Sequence, residues 1–270
     1  MTFVVKIGGT SGVDPENVLD DLAGIEEDSF VVVHGGSGVV DGLHERLGTE
    51  PTYVTSASGV KGRFTDEDSM EIFKMAMPGL VNTDLVEGLQ SRGVDAVGLS
   101  GVDGRLLEGE RKDTVIVKED GRKKVMRGDH SGKIEKVNDE LLSMHLDAGY
   151  TPVVSVPMIS YEGTAVNTDA DRSAAAVAGA LGSRLAILSD VPGLLRDPDD
   201  EDSLIEEVGY DEIDDVIEKY AEGKMKKKVM AAREALDKGA TEVVFASANV
   251  ESPVTQALEG NGTVFTNKND

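Results

Sequence analysis

The chain has no cysteine and no tryptophan, holds only four histidines, and has 4% aromatic residues among its 270. Without thiols it can form neither disulfides nor thiolate metal sites. His34, His44, His130 and His145 show no metal-ligand spacing, no H-E-x-x-H occurs, and no Ser/His/Asp arrangement can be argued from them. No apolar run approaches the ~18 residues of a membrane-spanning helix. The first nine residues, MTFVVKIGG, lack the basic and then apolar pattern of a signal peptide. A cytoplasmic location without membrane attachment is the expectation. Basic residues are also scarce: 27 Lys and Arg face 51 Asp and Glu, a formal net charge of −24. That excess repels nucleic acid and favours solubility. It suits a high-salt cytoplasm, where a Debye length of about 3 Å at ~1 M salt screens self-repulsion. An ordinary acidic enzyme is the plainer alternative.

What is present is enough for a sizeable core, with 39% hydrophobic residues. Short β-branched runs at Phe3–Ile7, Phe30–Val33, Ala96–Leu99, Pro152–Val156, Leu185–Leu188 and Val243–Ala246 read as strands. Helical segments lie between them. Asp14-Pro15 starts one, with an N-cap and a proline at the first helical position. Thr65-Asp66-Glu67-Asp68 starts another, with a capping hydroxyl and acids in the first turn. Pro78 falls inside that second helix and predicts a kink. Leu106–Arg127 alternates like paired strands, with a hairpin turn at Glu119-Asp120-Gly121-Arg122. Asp169–Leu181 and Lys224–Asp237 read as helices. Strands alternating with helices imply α/β architecture: a three-layer αβα sandwich around a mostly parallel central sheet. One continuous domain over 1–270 is expected, dividing near Ser160 into two functional halves.

Five segments could carry chemistry. Lys6-Ile7-Gly8-Gly9-Thr10 ends a strand in a lysine followed by glycines whose amides can approach an anion. His34-Gly35-Gly36-Ser37-Gly38 repeats strand, glycines and helix start, a setting that suits phosphate. Either could also be only a tight turn. Neither fits the P-loop pattern, and no G-x-G-x-x-G follows either strand. Arg63, just before a helix start, can clamp a carboxylate or sit on the surface. Asn167-Thr168-Asp169-Ala170-Asp171 enters the Ala-rich helix, and Asp169 serves either as N-cap or as a partner for a lysine. Gly223-Lys224-Met225-Lys226-Lys227-Lys228 puts four lysines in five residues of an acidic chain. Cations disfavour a helix N-terminus, so an anionic ligand explains them better than fold stability does.

Taken in order, these segments and Leu188-Ser189-Asp190-Val191-Pro192-Gly193-Leu194 resemble the amino acid kinase family over nearly the whole chain. Within it, the chain is similar to the N-acetylglutamate kinase group, and most to the branch acting on substrates attached to the carrier protein LysW. Gly79-Leu80-Val81-Asn82, Gly98–Leu106, Arg127-Gly128-Asp129-His130-Ser131-Gly132 and Tyr161-Glu162 carry that finer likeness. Free-substrate acetylglutamate kinases usually have Asn where this chain has Ala165.

The resemblance implies a substrate half over 1–160 and a nucleotide half over 161–270. Lys6 and Lys228 would straddle the transferring phosphoryl group, with Asp169 orienting both. Gly35, Gly36, Arg63 and Asn167 would hold the acceptor. Gly8, Gly9, Ser189, Asp190 and Met225 would lie at the nucleotide. ATP would carry its own Mg2+, with no metal ligand from the protein. A basic stretch at Arg122, Lys123, Lys124, Arg127 and Lys133 would dock the acidic carrier, or is a solvated hairpin. A homodimer is implied as well. The product would be an acyl phosphate of glutamate or α-aminoadipate, in arginine or lysine biosynthesis. Alternatives are a kinase of free N-acetylglutamate, of glutamate or of carbamate, and a non-catalytic nucleotide-binding protein on the same fold.

Overall fold

The computed structural model describes residues 2–9, 12–26, 28–56, 61–119 and 122–267, the side chains of 118, 119 and 122 excepted. The strands are β1 Thr2–Ile7, β2 Ser29–His34, β3 Thr52–Thr55, β4 Lys61–Phe64, β5 Ala96–Gly101, β6 Leu107–Glu119, β7 Arg122–Val137, β8 Thr151–Ser160, β9 Ala165–Val166, β10 Arg184–Ser189, β11 Glu207–Gly209, β12 Glu242–Ser247 and β13 Thr263–Thr266. The helices are α1 Pro15–Ala23, α2 Ser37–Arg46, α3 Glu67–Lys74, α4 Asn82–Ser91, α5 Asp139–Asp147, α6 Ala170–Ala180, α7 Ile213–Lys219, α8 Gly223–Asp237 and α9 Pro253–Leu258.

The main sheet runs β11-β13-β12-β10-β1-β2-β8-β6-β7, with β5 and β9 also pairing β8. From β12 through β10, β1 and β2 to β8, every pairing is parallel. The antiparallel pairs lie outside that stretch, at β12–β13, β6–β7 and β8–β9. The expected mostly parallel αβα sandwich is what forms. Strands 184 onward lie on one side of β1, and β2 and β8 begin the other.

Continuous apolar strands bury both faces, as parallel sheets require. Val4, Val31, Val33, Leu185, Ile187 and Phe245 point to one face, where the Ala-rich side of α6 and the buried residues of α8 cover them. Phe3, Val5, Phe30, Val32 and Leu188 point to the other, beneath α1, α4 and α9. The period of two along each strand therefore decides which helix layer each side chain meets. Lys6 shares a face with Val4 and His34 shares one with Val32, so neighbouring strands send them to opposite layers.

Local signals resolve as follows. Asp14 caps α1, its Oδ1 accepting from Glu16 N at 3.0 Å. The cap of α3 is Asp66, whose Oδ1 accepts from Ser69 N at 2.9 Å. Thr65, expected in that role, is instead fully buried. Pro78 does not break its helix. Met75–Val81 widens into π-helical turns between α3 and α4, and Asn82 N–H bonds to Met77 O, five residues back. The wider turn accommodates the missing proline N–H. The hairpin β3–β4 has four-residue strands on largely exposed backbone, with no apolar alternation to reveal it. In the long hairpin, Glu119 pairs with Arg122. Its predicted turn residues Asp120 and Gly121 lie outside the described residues. Among the described residues no helix is long and apolar enough to cross a membrane.

Candidate active site

Because β1 and β2 are adjacent and parallel, Ile7 stands beside His34 and both glycine loops leave the sheet together. Gly8 N–H donates to Leu188 O at 3.1 Å, and Gly35 N–H donates to Ile7 O at 3.0 Å. The two loops then touch. A Cβ on Gly9 would stand 2.0 Å from Gly36 N, and one on Gly35 would stand 2.9 Å from Gly9 N. Close approach, and not turn geometry, demands glycine here. Among the described residues the N–H groups of Gly9 and Gly36 find no acceptor. Helix α2 starts immediately afterwards with no side-chain cap. Unpaired amides and a helix N-terminus converge on one edge, an arrangement that attracts phosphate oxygens.

Cations gather on the α6 side of these loops. Lys6 Nζ lies 2.6 Å from Asp171 Oδ1, with side chains 7% and 14% exposed. The contact is an ion pair whose geometry leaves Asp171 Oδ1 without a hydrogen-bond donor. Asp169, two residues earlier, is the N-cap of α6, and its Oδ1 accepts from Asp171 N at 2.9 Å and Arg172 N at 3.2 Å. The expectation that Asp169 orients the lysines is therefore corrected: the carboxylate reaching Lys6 is Asp171. A capping side chain folds back on its own helix, whereas one in the first turn projects outward. Burial raises the pKa of Asp169, the charge of Asp171 adds to this, and Lys6 and Lys227 oppose it.

Helix α8 packs against α6, and the Arg172–Glu234 pair joins them, with Arg172 Nε 2.8 Å from Glu234 Oε2. This brings Lys228 to the same place. Burial lowers its pKa; Lys6 pushes the same way, while Asp171 and Asp190 push back. Lys6, Asp171, Lys228 and Asp190 thus share one electrostatic neighbourhood. Lys227 Nζ donates to Lys61 O at 2.9 Å and ties the start of α8 to β4.

Strand β4 carries Arg63. Its Nη2 lies 2.8 Å from Asp41 Oδ1 and donates to Tyr53 Oη at 3.1 Å. Its side chain is 7% exposed, yet Nη1 is buried with no acceptor among the described residues. One edge of the guanidinium is held and the other is left without a partner. Asn167 Nδ2 donates to Thr65 Oγ1 at 3.0 Å. Buried Asp129 secures Thr65 in turn, accepting from Thr65 N at 3.0 Å and from Ser131 Oγ. Thr65, Asp129 and Asp171 are tied into this cluster, although sequence reasoning assigned them no catalytic or binding role. Their motifs were visible, but nothing local says which of several polar neighbours turns inward.

Buried Ser189 ends β10, and Asp190 follows it beside Gly12. Met225 is half-buried against the α6–α8 core. Ala165 packs at the apolar cluster of Val40, Met70, Phe73 and Met77. The basic hairpin does not form a single patch. Lys123 and Arg127 share a face of β7 with exposed Val125, which stands opposite exposed Ile116. Lys124 is on the other face, and Lys133 lies past the irregularity at Gly128, roughly 30 Å along the strand from Lys123. The Arg122 side chain lies outside the described residues.

Two cavities stand apart from the cations. One of about 320 Å³ touches the glycine loops from the α4 side, lined by Val13, Val39, Val81 and Leu85. No charged side chain enters it. The other, of about 350 Å³, is lined by Asp20, Asp21 and Glu251, which would repel a nucleotide. Among the described residues no group of three or more acidic or imidazole side chains could hold a metal.

His34, 1% exposed, sits on the α4 face of the loops. Its Nε2 faces Asn82 Nδ2 at 3.1 Å, and its Nδ1 faces Gly35 O at 3.0 Å. Burial and the charge of Lys6 lower its pKa to about 4, against the bond to Gly35, which raises it.

A base-free cradle of amides, two lysines and an aspartate, set at the carboxyl ends of parallel strands, defines an enzyme that moves a phosphoryl group. The chain belongs to the amino acid kinase family, whose model matches residues 1–247. It is 49% identical over 265 residues to the [LysW]-aminoadipate kinase of Deinococcus radiodurans, covering 97% of this chain and 90% of that protein. It is 40% identical over 263 residues to the acetylglutamate kinase of Methanopyrus kandleri, covering 97% of this chain and 98% of that one. The fold also matches carbamate kinase from Giardia lamblia bound to AMP-PNP, with a TM-score of 0.68, 16% identity, and 99% and 98% of the two chains covered.

Two outcomes follow for the aspartates and His34. Asp171→Asn leaves the buried Lys6 unpaired, so it is expected to cost about 3 kcal/mol of stability and to lower turnover by a factor of ~30 or more. Asp169→Ala should instead cost about 1 kcal/mol as a lost cap. Urea unfolding and ADP release measure the pair; equal turnover in Asp171→Asn and wild type would refute the correction. For His34, the folded pKa of about 4 lies below the unfolded 6.5. Its stabilisation is therefore complete above pH 6.5 and is lost as pH falls through 4. Between pH 7 and 4 the wild type should lose about 3 kcal/mol more than His34→Asn in urea titrations.

Proposed function

We propose that this kinase transfers the γ-phosphoryl group of ATP to the side-chain carboxylate of glutamate or α-aminoadipate carried on LysW, in arginine or lysine biosynthesis. The observation that carries the reading is a cation-rich phosphate cradle without a general base. Both nitrogens of His34 are engaged, so the one imidazole at the loops cannot take a proton. A carboxylate acceptor is already ionised at neutral pH and needs none. The relative in Deinococcus is named for such an acceptor.

In this reading a carboxylate oxygen attacks the γ-phosphorus, the bridging P–O bond breaks, and ADP leaves with the electron pair. Lys6 and Lys228 offset charge on the transferring group, and Asp171 holds Lys6 in position. Amides of Gly8, Gly9, Gly35 and Gly36 meet phosphate and acceptor oxygens. Catalysis is positioning plus charge compensation. Arg63, through its unpartnered Nη1, and Asn167 hold the amino-acid end. Ser189, Asp190 and Met225 line the nucleotide side, on the half formed by residues 161–270. Magnesium enters bound to ATP. Lys123 and Arg127, flanking Val125, receive the acidic carrier. Two copies form the working unit, with exposed Met75 and Leu80 as apolar surface for that contact.

A free N-acetylglutamate acceptor is the second reading, supported by the Methanopyrus relative. Ala165 counts against it, because a methyl group stands where free-substrate acetylglutamate kinases usually carry an Asn that can hydrogen-bond the acceptor.

ADP release with carrier-linked glutamate, carrier-linked α-aminoadipate and free N-acetylglutamate tests the proposal. Turnover on a linked substrate is expected, and Lys228→Ala should lower kcat about 100-fold. Turnover on the free compound alone would replace the first reading with the second. Reversing Lys123 and Arg127 to Glu should raise KM for the linked substrate about tenfold and leave that of a small free acyl-glutamate unchanged. Equal effects on both would remove the hairpin from carrier binding.

A further inference from the structure

The proposed chemistry assigns no role to His34, Asn82 and Gly98. Asn82 is 5% exposed at the start of α4, and its Nδ2 donates to Val153 O at 2.8 Å. Only an N–H group can meet that carbonyl, so the orientation of the amide is determined. The same NH2 faces His34 Nε2, which must therefore be the unprotonated acceptor nitrogen. The proton then sits on Nδ1 and is donated to Gly35 O. Reversing the amide would set Asn82 Oδ1 against Val153 O. Oδ1 instead occupies the space over Gly98, where a Cβ would stand 2.3 Å from it. Gly98 is the vacancy that lets Asn82 adopt this orientation.

A trans peptide points its C=O and N–H in opposite directions. Holding Gly35 O toward His34 turns the N–H of the same peptide, that of Gly36, away from the buried α4 side. That N–H is one of the amides without an acceptor among the described residues. We propose that His34 is a positioning residue, locked by Asn82 over Gly98 as a neutral Nδ1–H imidazole, which aims the Gly36 N–H at an oxygen of the transferring phosphoryl group or the acceptor. The role of the N–H rests on the kinase reading above; the locked imidazole does not. The device turns a flexible glycine pair into a fixed donor. Two glycines must touch here, so no side chain of their own can orient the peptide, and a neighbouring imidazole does so instead.

The test uses the full chain in two measurements. Long-range 15N–1H spectra of 15N-histidine-labelled protein at pH 7, assigned by difference with His34→Asn, report the tautomer. A neutral Nδ1–H ring is expected; an Nε2–H or charged ring overturns the proposal. Kinetics on the best acceptor follow. His34→Asn places an amide N–H where Nδ1 was and should keep kcat within about tenfold. His34→Leu should lower kcat about 100-fold, the scale for losing one oxyanion donor, with KM for ATP within about threefold. Equal losses in Asn and Leu variants, a loss confined to KM, or no loss in Leu each overturn the proposal. Should His34→Leu fail to fold, Asn82→Ala serves. It should release the tautomer and lower kcat about tenfold, and an unchanged tautomer would exclude the lock. If the wild type phosphorylates no acceptor, the kinase reading fails, and the tautomer alone decides whether the locked imidazole exists.

Discussion

A lysine in a protein interior must be paired, because an uncompensated buried charge costs several kcal/mol. Lys6 is in that position at the end of the central strand, and Asp171 is its partner. Much of the active-site architecture follows from this pair. It pulls the first turn of α6 onto the edge of the sheet. Asp169 caps that turn and shapes it so that Asp171 projects outward. Helix α8 packs along α6 and delivers Lys228 beside Lys6. Two like charges meet there, and the carboxylate of Asp171 acts on both.

The glycine loops impose a second constraint. Parallel neighbours β1 and β2 end at the same level, so their loops compete for one space, and only residues without side chains fit. The amides left over point where an anion can use them. Lysines lie on one side of the loops and the buried His34–Asn82 pair on the other. The chain as a whole is strongly acidic. Its cations are informative for that reason: of the four lysines from 224 to 228, Lys227 and Lys228 bear on Lys6, Asp169 or Lys61.

Much of the fold was legible. Alternating strands and helices predicted the parallel sandwich, and Asp14-Pro15 marked the start of α1. The misses have physical causes. At Pro78, where a kink was expected because a proline removes a backbone donor, the regular helix gives way to π-helical turns. Hairpin β3–β4 stayed hidden because exposed strands carry no apolar period. The cap of α3 went to a carboxylate in place of the preceding hydroxyl, which left Thr65 free to join Asn167 and Asp129.

The sequence by itself determined the inventory: two glycine loops, Lys6, the lysine run ending at Lys228, Arg63 and the N-T-D-A-D segment, all in one order. Composition and spacing could say that these residues suit phosphate. Only the tertiary structure decided that Asp171 and not Asp169 meets Lys6, and that the basic residues of the long hairpin divide between faces. It also placed His34 behind the loops, away from the charge. The reason is directional. A sequence records which groups exist and how far apart they lie along the chain, but strand parity, helix phase and packing decide which way each one points.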